Sequence, residues 1–281
     1  MGENVKEKFI QEHGDTLWHY TSPTALTGIF QNDEFWFGNY DNLNDHKELI
    51  MFKEEVLEEL RKDPCNCFDR MKEIETEIEN QAELFYFSFS LSKARDDVSM
   101  WDRYARGGTG VAIVFNTDVL YTFLEHILND KIHENLTLIP INYEKNIKKS
   151  ELLSVLKRYR DGKVMGGFNS LSGAISNLHA VSYMHKHKSF TSEQEVRMHP
   201  LFVKKDDSNV KLITSETIRV VYVLKIKEKL KELGIKMEDL IDSIVIGPKS
   251  SQGEKDLELF FSKLNYPELA KKVLVSDCPL K

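Results

Sequence analysis

Residues 17–30 read LWHYTSPTALTGIF. Leu17–Thr21 reads as a strand and the rest as a short helix opening at Ser22-Pro23. The Ser22 hydroxyl suits an N-cap, and Pro23 suits the first helical position, where its missing N–H costs nothing. Alternate strand residues share a face, so His19 and Thr21 point one way and Tyr20 the other. A strand end just before a capped helix is where a sheet presents polar groups to a ligand. An ordinary strand end with a satisfied histidine has the same letters.

Downstream, strand and helix patterns alternate, with more strands after residue 190. EFWFG (34–38) reads as a short strand. NLNDHKELIMFKEEVLEEL starts a helix that Asp45 caps with Glu48 three residues on, and a second charged helix covers roughly 68–83. Both are amphipathic, a helical insertion at about 45–83 on one side of the sheet. LFYFSFS (84–90) alternates, with Phe85, Phe87 and Phe89 opposite Tyr86, Ser88 and Ser90. DDVSMWDRYARGG is a short helix with a glycine stop, and TGVAIVF a buried strand. Residues 117–128 and about 150–160 read as helical around a strand at 136–143, and a helix at about 170–187 ends in HKHK. Strands are expected at 195–203, 217–226 and 241–248. SQGEKDLELFFSKL then reads as a helix capped by its first Ser, and KKVLVSD as a last short strand. The sum is one α+β domain over 1–281 with a split, mixed or largely antiparallel sheet.

Composition narrows the class. At 281 residues, with 41% hydrophobic and 30% charged residues, the chain can bury a sizeable core. No apolar run approaches the roughly 20 residues a bilayer span needs, and the charged N-terminus lacks a signal-peptide core. Three cysteines, two of them a lone C-x-C (Cys65, Cys67), argue against a disulfide framework and for a reducing cytoplasm. A net charge of −7 weighs against broad non-specific nucleic-acid binding. Neither G-x-G-x-x-G nor a P-loop is present.

Beyond His19-Tyr20-Thr21, several groups could carry chemistry. Ser88 and Ser90 line the polar face of their strand. Trp101 and Tyr104, three apart, fall on one side of a helix, a spacing that core packing also explains. If 193–199 is extended, Glu193, Glu195, Arg197 and His199 line one face; two carboxylates beside an arginine suit a site that handles positive charge, or a plain sheet surface. His185 and His187 point apart on a helix and read as structural.

Taken in order, H-Y-T (19–21), N-D-x-x-E (44–48), F-S with W-x-x-Y-A (89–105), E-x-E-x-R (193–197) and, for an I-x-G-P element, IDSIVIGP (241–248) resemble a widespread bacterial family of domains of unknown function, over about residues 17–248. That layout is similar to the ADP-ribosyltransferase superfamily. The resemblance implies NAD as co-substrate and no metal. His19 would bind an NAD ribose, flanked by Tyr20 and Thr21, and Ser90 would be the middle-motif serine. Glu195 would be the catalytic glutamate and Glu193 the first acid of the pair. Trp101 or Tyr104 would stack on nicotinamide, and Arg197 or Lys188 would meet pyrophosphate, unless Arg197 only locks Glu195.

The expectation is therefore a cytoplasmic ADP-ribosyltransferase or NAD hydrolase, a toxin or anti-phage effector without membrane contact. It would modify a nucleic-acid or protein acceptor and could answer to an antitoxin or immunity partner. One alternative is a non-catalytic nucleotide-sensing or partner-binding domain. Another is a nuclease holding Mg²⁺ on Asp45, Glu193 and Glu195.

Overall fold

The computed structural model describes residues 5–40, 46–62, 68–81, 86–129, 136–143, 149–161, 171–200, 203, 206–214 and 218–280. In chain order the first half runs α1 (Val5–His13), β1 (Thr16–Thr21), α2 (Pro23–Asn32), β2 (Glu34–Asn39), α3 (His46–Lys62), α4 (Phe68–Gln81), β3 (Phe87–Ser92), α5 (Val98–Tyr104), β4 (Val111–Asn116) and α6 (Thr117–Asn129). The second runs β5 (Leu136–Pro140), α7 (Lys149–Arg160), α8 (Leu171–Tyr183), β6 (Glu195–Pro200), β7 (Val210–Thr214), β8 (Ile218–Lys225), α9 (Lys227–Glu232), α10 (Met237–Leu240), β9 (Ile241–Ile246), α11 (Glu254–Lys263), α12 (Pro267–Ala270) and β10 (Val273–Val275).

Ten strands join in the order β10-β9-β4-β1-β3-β2-β8-β7, with β6 on β3 and β5 on β6. Each ladder is antiparallel except β9–β10, so the sheet is mixed. β1 follows β4 from Thr16↔Asn116 to Thr21↔Val111, but meets β3 only at Trp18↔Ser92. The other end of β3 pairs instead with β2, at Gly38↔Ser88 and Asn39↔Phe87. Past Trp18 the sheet therefore opens between β1 and β3, while β1 stays paired with β4, and the site lies in that opening.

Period-two alternation assigns the sheet faces. Leu17, Val111, Ile113 and Phe115 enter the main core with Phe35, Phe37 and Phe89, beneath α2, α6 and α11. Tyr20, Ala112 and Val114 enter a second core with Met100, Trp101 and Val245. The Ser22 cap stands as expected: its Oγ accepts from the Ala25 N–H at 3.1 Å, with Pro23 opening the helix.

The two helical stretches expected separately form one layer. α3, α4, α7 and α8 share a core of Val56, Leu60, Ile74, Leu156, Ile175 and Leu178. Buried Arg160 donates to the Leu60 carbonyl at 2.8 Å, satisfying a C-terminal acceptor of α3. Other expectations move. α8 stops at Tyr183 instead of running to about 187. Glu193 ends a 3-10 turn, Lys188–Glu193, and left-handed Gln194 (φ 44°) separates it from β6. Gly253, not the first Ser, caps α11. β7 is a further edge strand. The Asp45 cap, Cys65 and Cys67 lie outside the described residues.

Candidate functional site

A cavity of about 390 Å³ occupies the opening, within the range of small-molecule sites. β1 contributes Trp18, His19 and Thr21 to its wall, β3 Ser88 and Ser90, and the chain around β6 Lys186, Glu193 and Glu195. Its apolar end is built from Ile29, Trp36 and Val220, beside Arg219.

His19 stacks on Phe89 at 4.0 Å between ring centroids, and its Nδ1 lies 2.8 Å from the Ser90 carbonyl oxygen. A carbonyl only accepts, so Nδ1 carries the proton and Nε2 keeps its lone pair. Burial disfavours the imidazolium and brings its pKa down to about 4 against the opposing pull of that carbonyl. His19 is thus neutral at pH 7, an acceptor with its tautomer set by the fold.

Ser90 also faces the other way: its side chain lies beside Glu195 and helps hold that carboxylate charged. Glu195 is buried, with Oε1 accepting from Arg197 Nε at 2.8 Å and Oε2 from Arg197 Nη2 at 3.0 Å and Lys186 Nζ at 3.1 Å. Burial alone would raise its pKa, but Arg197, then Lys186, then these hydrogen bonds outweigh it and hold it at about 2. Glu193 shares Lys186: Nζ lies 2.5 Å from its Oε2, while its Oε1 accepts from Arg103 Nη1 at 2.9 Å and the Tyr104 hydroxyl at 2.8 Å. The Tyr143 hydroxyl accepts from the Glu195 N–H at 2.8 Å, and burial pushes its own pKa up to about 12.

His19, Thr21, Ser90, Tyr104, Glu193 and Glu195 therefore meet at one cavity. Three expected site residues do other work. Tyr20 borders the cavity, but its ring meets Trp101 edge-on at 5.0 Å and its hydroxyl donates to the Ala94 carbonyl at 2.7 Å. Trp101 and Tyr104, three apart on α5, meet different surroundings, and only Tyr104 lines the cavity. Trp101 is fully buried, and its indole N–H donates to Asp96 Oδ1 at 2.7 Å, so it braces a loop and has no face for a ligand ring. Arg197 lies behind the wall, where Nη1 donates to the Tyr183 carbonyl at 2.8 Å and to the Tyr40 hydroxyl. Its guanidinium locks Glu195 and is not offered to a phosphate. Lys188 does not line the cavity.

Sequence reasoning missed Lys186, Arg219, Trp18 and Trp36. Lys186 reads as a dipole-compensating cation in HKHK; only the early end of α8 turns it into the cleft. Ser88 was noted solely as a polar-face residue. Its Oγ and the Trp18 indole nitrogen are buried without partners among the described residues. No group of three His, Cys, Asp or Glu side chains converges as a metal site among the described residues. No described helix is long and apolar enough to cross a membrane.

Residues 100–198 match the model of a family described as a protein of unknown function, DUF2971. The match includes Tyr104, Lys186 and both carboxylates, but not His19 or Ser90. No curated protein and no solved structure matches the chain.

Proposed function

We propose that the chain is an NAD-consuming enzyme of ADP-ribosyltransferase type, acting on a nucleic-acid or protein acceptor or on water, as a toxin or anti-phage effector would. The observation that carries the reading is the convergence of His19, Ser90 and Glu195 on one cavity, with the Ser90 carbonyl accepting from His19 and its side chain beside Glu195. One residue couples a neutral imidazole to a buried carboxylate at the wall of a single cavity. The opening of the sheet at that point also agrees with the split sheet of that superfamily.

The chemistry follows from the two side chains. Breaking the nicotinamide–ribose bond leaves its electron pair on nicotinamide and positive charge on the ribose, as in glycoside cleavage. A preorganised carboxylate stabilises that charge without reorganising. With its pKa at about 2, Glu195 is a poor base and acts by charge and by accepting from a ribose hydroxyl. His19 Nε2 accepts from a second hydroxyl. The acceptor's proton must leave through another group, and Glu193 is the neighbouring carboxylate.

A specific observation favours a second reading, nucleotide sensing without turnover: Glu195 already faces two cations, which blunt its charge. The Mg²⁺-nuclease alternative is weaker still, since any metal would have to displace Lys186 and Arg197. Purified protein incubated with labelled NAD should release nicotinamide in the presence of chelator, and Glu195→Gln should slow release by about 10²–10³-fold with the melting transition retained. Tight NAD binding without release selects the sensor, and absence of both binding and release discards the NAD site.

A further inference from the structure

We propose that Lys186 is a positioning residue that keeps Glu193 and Glu195 ionised side by side in the cleft. The inference rests on the catalytic reading of those carboxylates. The Lys186 side chain is 2% exposed, and one Nζ reaches Glu193 Oε2 at 2.5 Å and Glu195 Oε2 at 3.1 Å. The two oxygens are thereby held within about 6 Å, the range over which like charges drive one of a pair to take a proton. A buried ammonium without partners would itself lose its proton. Set between the carboxylates, each group keeps the others charged.

The surroundings leave this task to Lys186. Arg197 from β6 faces Glu195 alone of the pair. Arg103 from α5 reaches Glu193, but its side chain is 42% exposed and water screens it. Tyr104 from α5 and the Ser90 and Tyr143 hydroxyls bring no positive charge. Lys186 is therefore the buried cation on Glu193 among the described residues. Its backbone is fixed by the bridge Asn142↔His185 and by its N–H donating to the Asn142 carbonyl at 3.1 Å. Its ammonium lies 5.0 Å from the Phe190 ring centroid, a face that favours cations.

Lys186→Met and Lys186→Arg test this with two readouts. Infrared spectroscopy of wild type at about pH 6 should show no protonated-carboxyl band from the cluster, Lys186→Met should show one, and Lys186→Arg should not. The acid limb of the nicotinamide-release profile should move up by about one pH unit or more in the Met variant and return towards wild type with Arg. If the Met variant does not fold, Lys186→Gln should give the same band. A neutral variant with no band and a pH profile merely scaled down makes Lys186 a packing residue and overturns the proposal. A band without nicotinamide release from wild type keeps the charge-holding role and rejects the enzymatic reading.

Discussion

His179 shows how burial can hold a side chain in one protonation state. It is 0% exposed on α8, stacks on Tyr86 at 5.6 Å, and neither ring nitrogen has a partner among the described residues. Burial, aided by Lys53, lowers its pKa to about 3. The folded chain refuses a proton that the unfolded chain accepts below about pH 6.5, so stability falls as pH drops from 6.5 towards 3. His19 adds to this trend in the same sense over pH 6.5 to 4. Glu195 works lower: its stabilisation is present above the usual carboxylate range and is lost as pH falls towards 2. His179→Phe should raise stability by about 1–2 kcal/mol at pH 5.5 and flatten its pH dependence. Urea midpoints at pH 7 and 5.5 check it; an unchanged pH slope would mean that His179 is protonated in the fold. The roles of such side chains were unevenly legible. His19, Ser90, Glu193 and Glu195 stand in short patterns on or just before strands, where residue type alone narrows the options. Lys186, just past α8, and His179, on it, depend on where that helix ends and how it packs, which no local pattern announces.

Two glycines of the GTG and IGP stretches hold the elements of the site in register. A Cβ on Gly247 would fall 2.4 Å from the Gly108 carbonyl oxygen and 2.8 Å from that of Gly110. A Cβ on Gly110 would fall 2.3 Å from the Thr21 oxygen, at the end of β1. These contacts are with backbone, which cannot swing aside as a flexible side chain can. Gly247→Ala should cost about 1–3 kcal/mol, lowering the urea midpoint with its slope unchanged. It should also weaken NAD binding, because the displaced loop carries β1 and His19 with it. Gly253→Ala is the control, where the new Cβ would meet only Asp256 Oδ2, at 3.3 Å. Equal losses in the two variants would dismiss the close-packing argument. At this scale the alternating strands and the Ser22-Pro23 start were legible, since periodicity and capping are local. The extended reading of 193–199 holds from Glu195 onward but not at 193–194, where left-handed Gln194 starts the strand late, a conformation that glutamine does not advertise. The carboxylates converge all the same, through Lys186 and not through a shared strand face.

Across the described residues, the main sheet core and the core of the helical layer meet at a narrow aromatic seam. The sheet core draws on β1, β2, β3, β4, β8 and β9 and on helices at both ends of the chain, whereas the helical layer closes on residues of α3, α4, α7 and α8. Tyr40, Tyr86 and Tyr183 join them, with Tyr86 and Tyr183 at 4.3 Å and Tyr40 edge-on to Tyr183 at 4.7 Å. Sequence reading placed both helical stretches but kept them apart, because their partnership is a contact across the strands between them and leaves no local trace. Local opening follows buried apolar contact, so the helical layer should open before the sheet. Native-state hydrogen exchange should find amides of α7 opening at about 2 kcal/mol less than those of β4. α8 should fall between, because its last carbonyl accepts from Arg197 and the chain continues directly to Lys186. Saturating NAD should raise protection at residues 186–197 and in α8 while leaving α7 unchanged, since among the described residues the cavity touches the helical layer only through that connection. Uniform opening energies across α7 and β4 would mean one cooperative unit, and added protection confined to β1 would place the ligand away from the carboxylates.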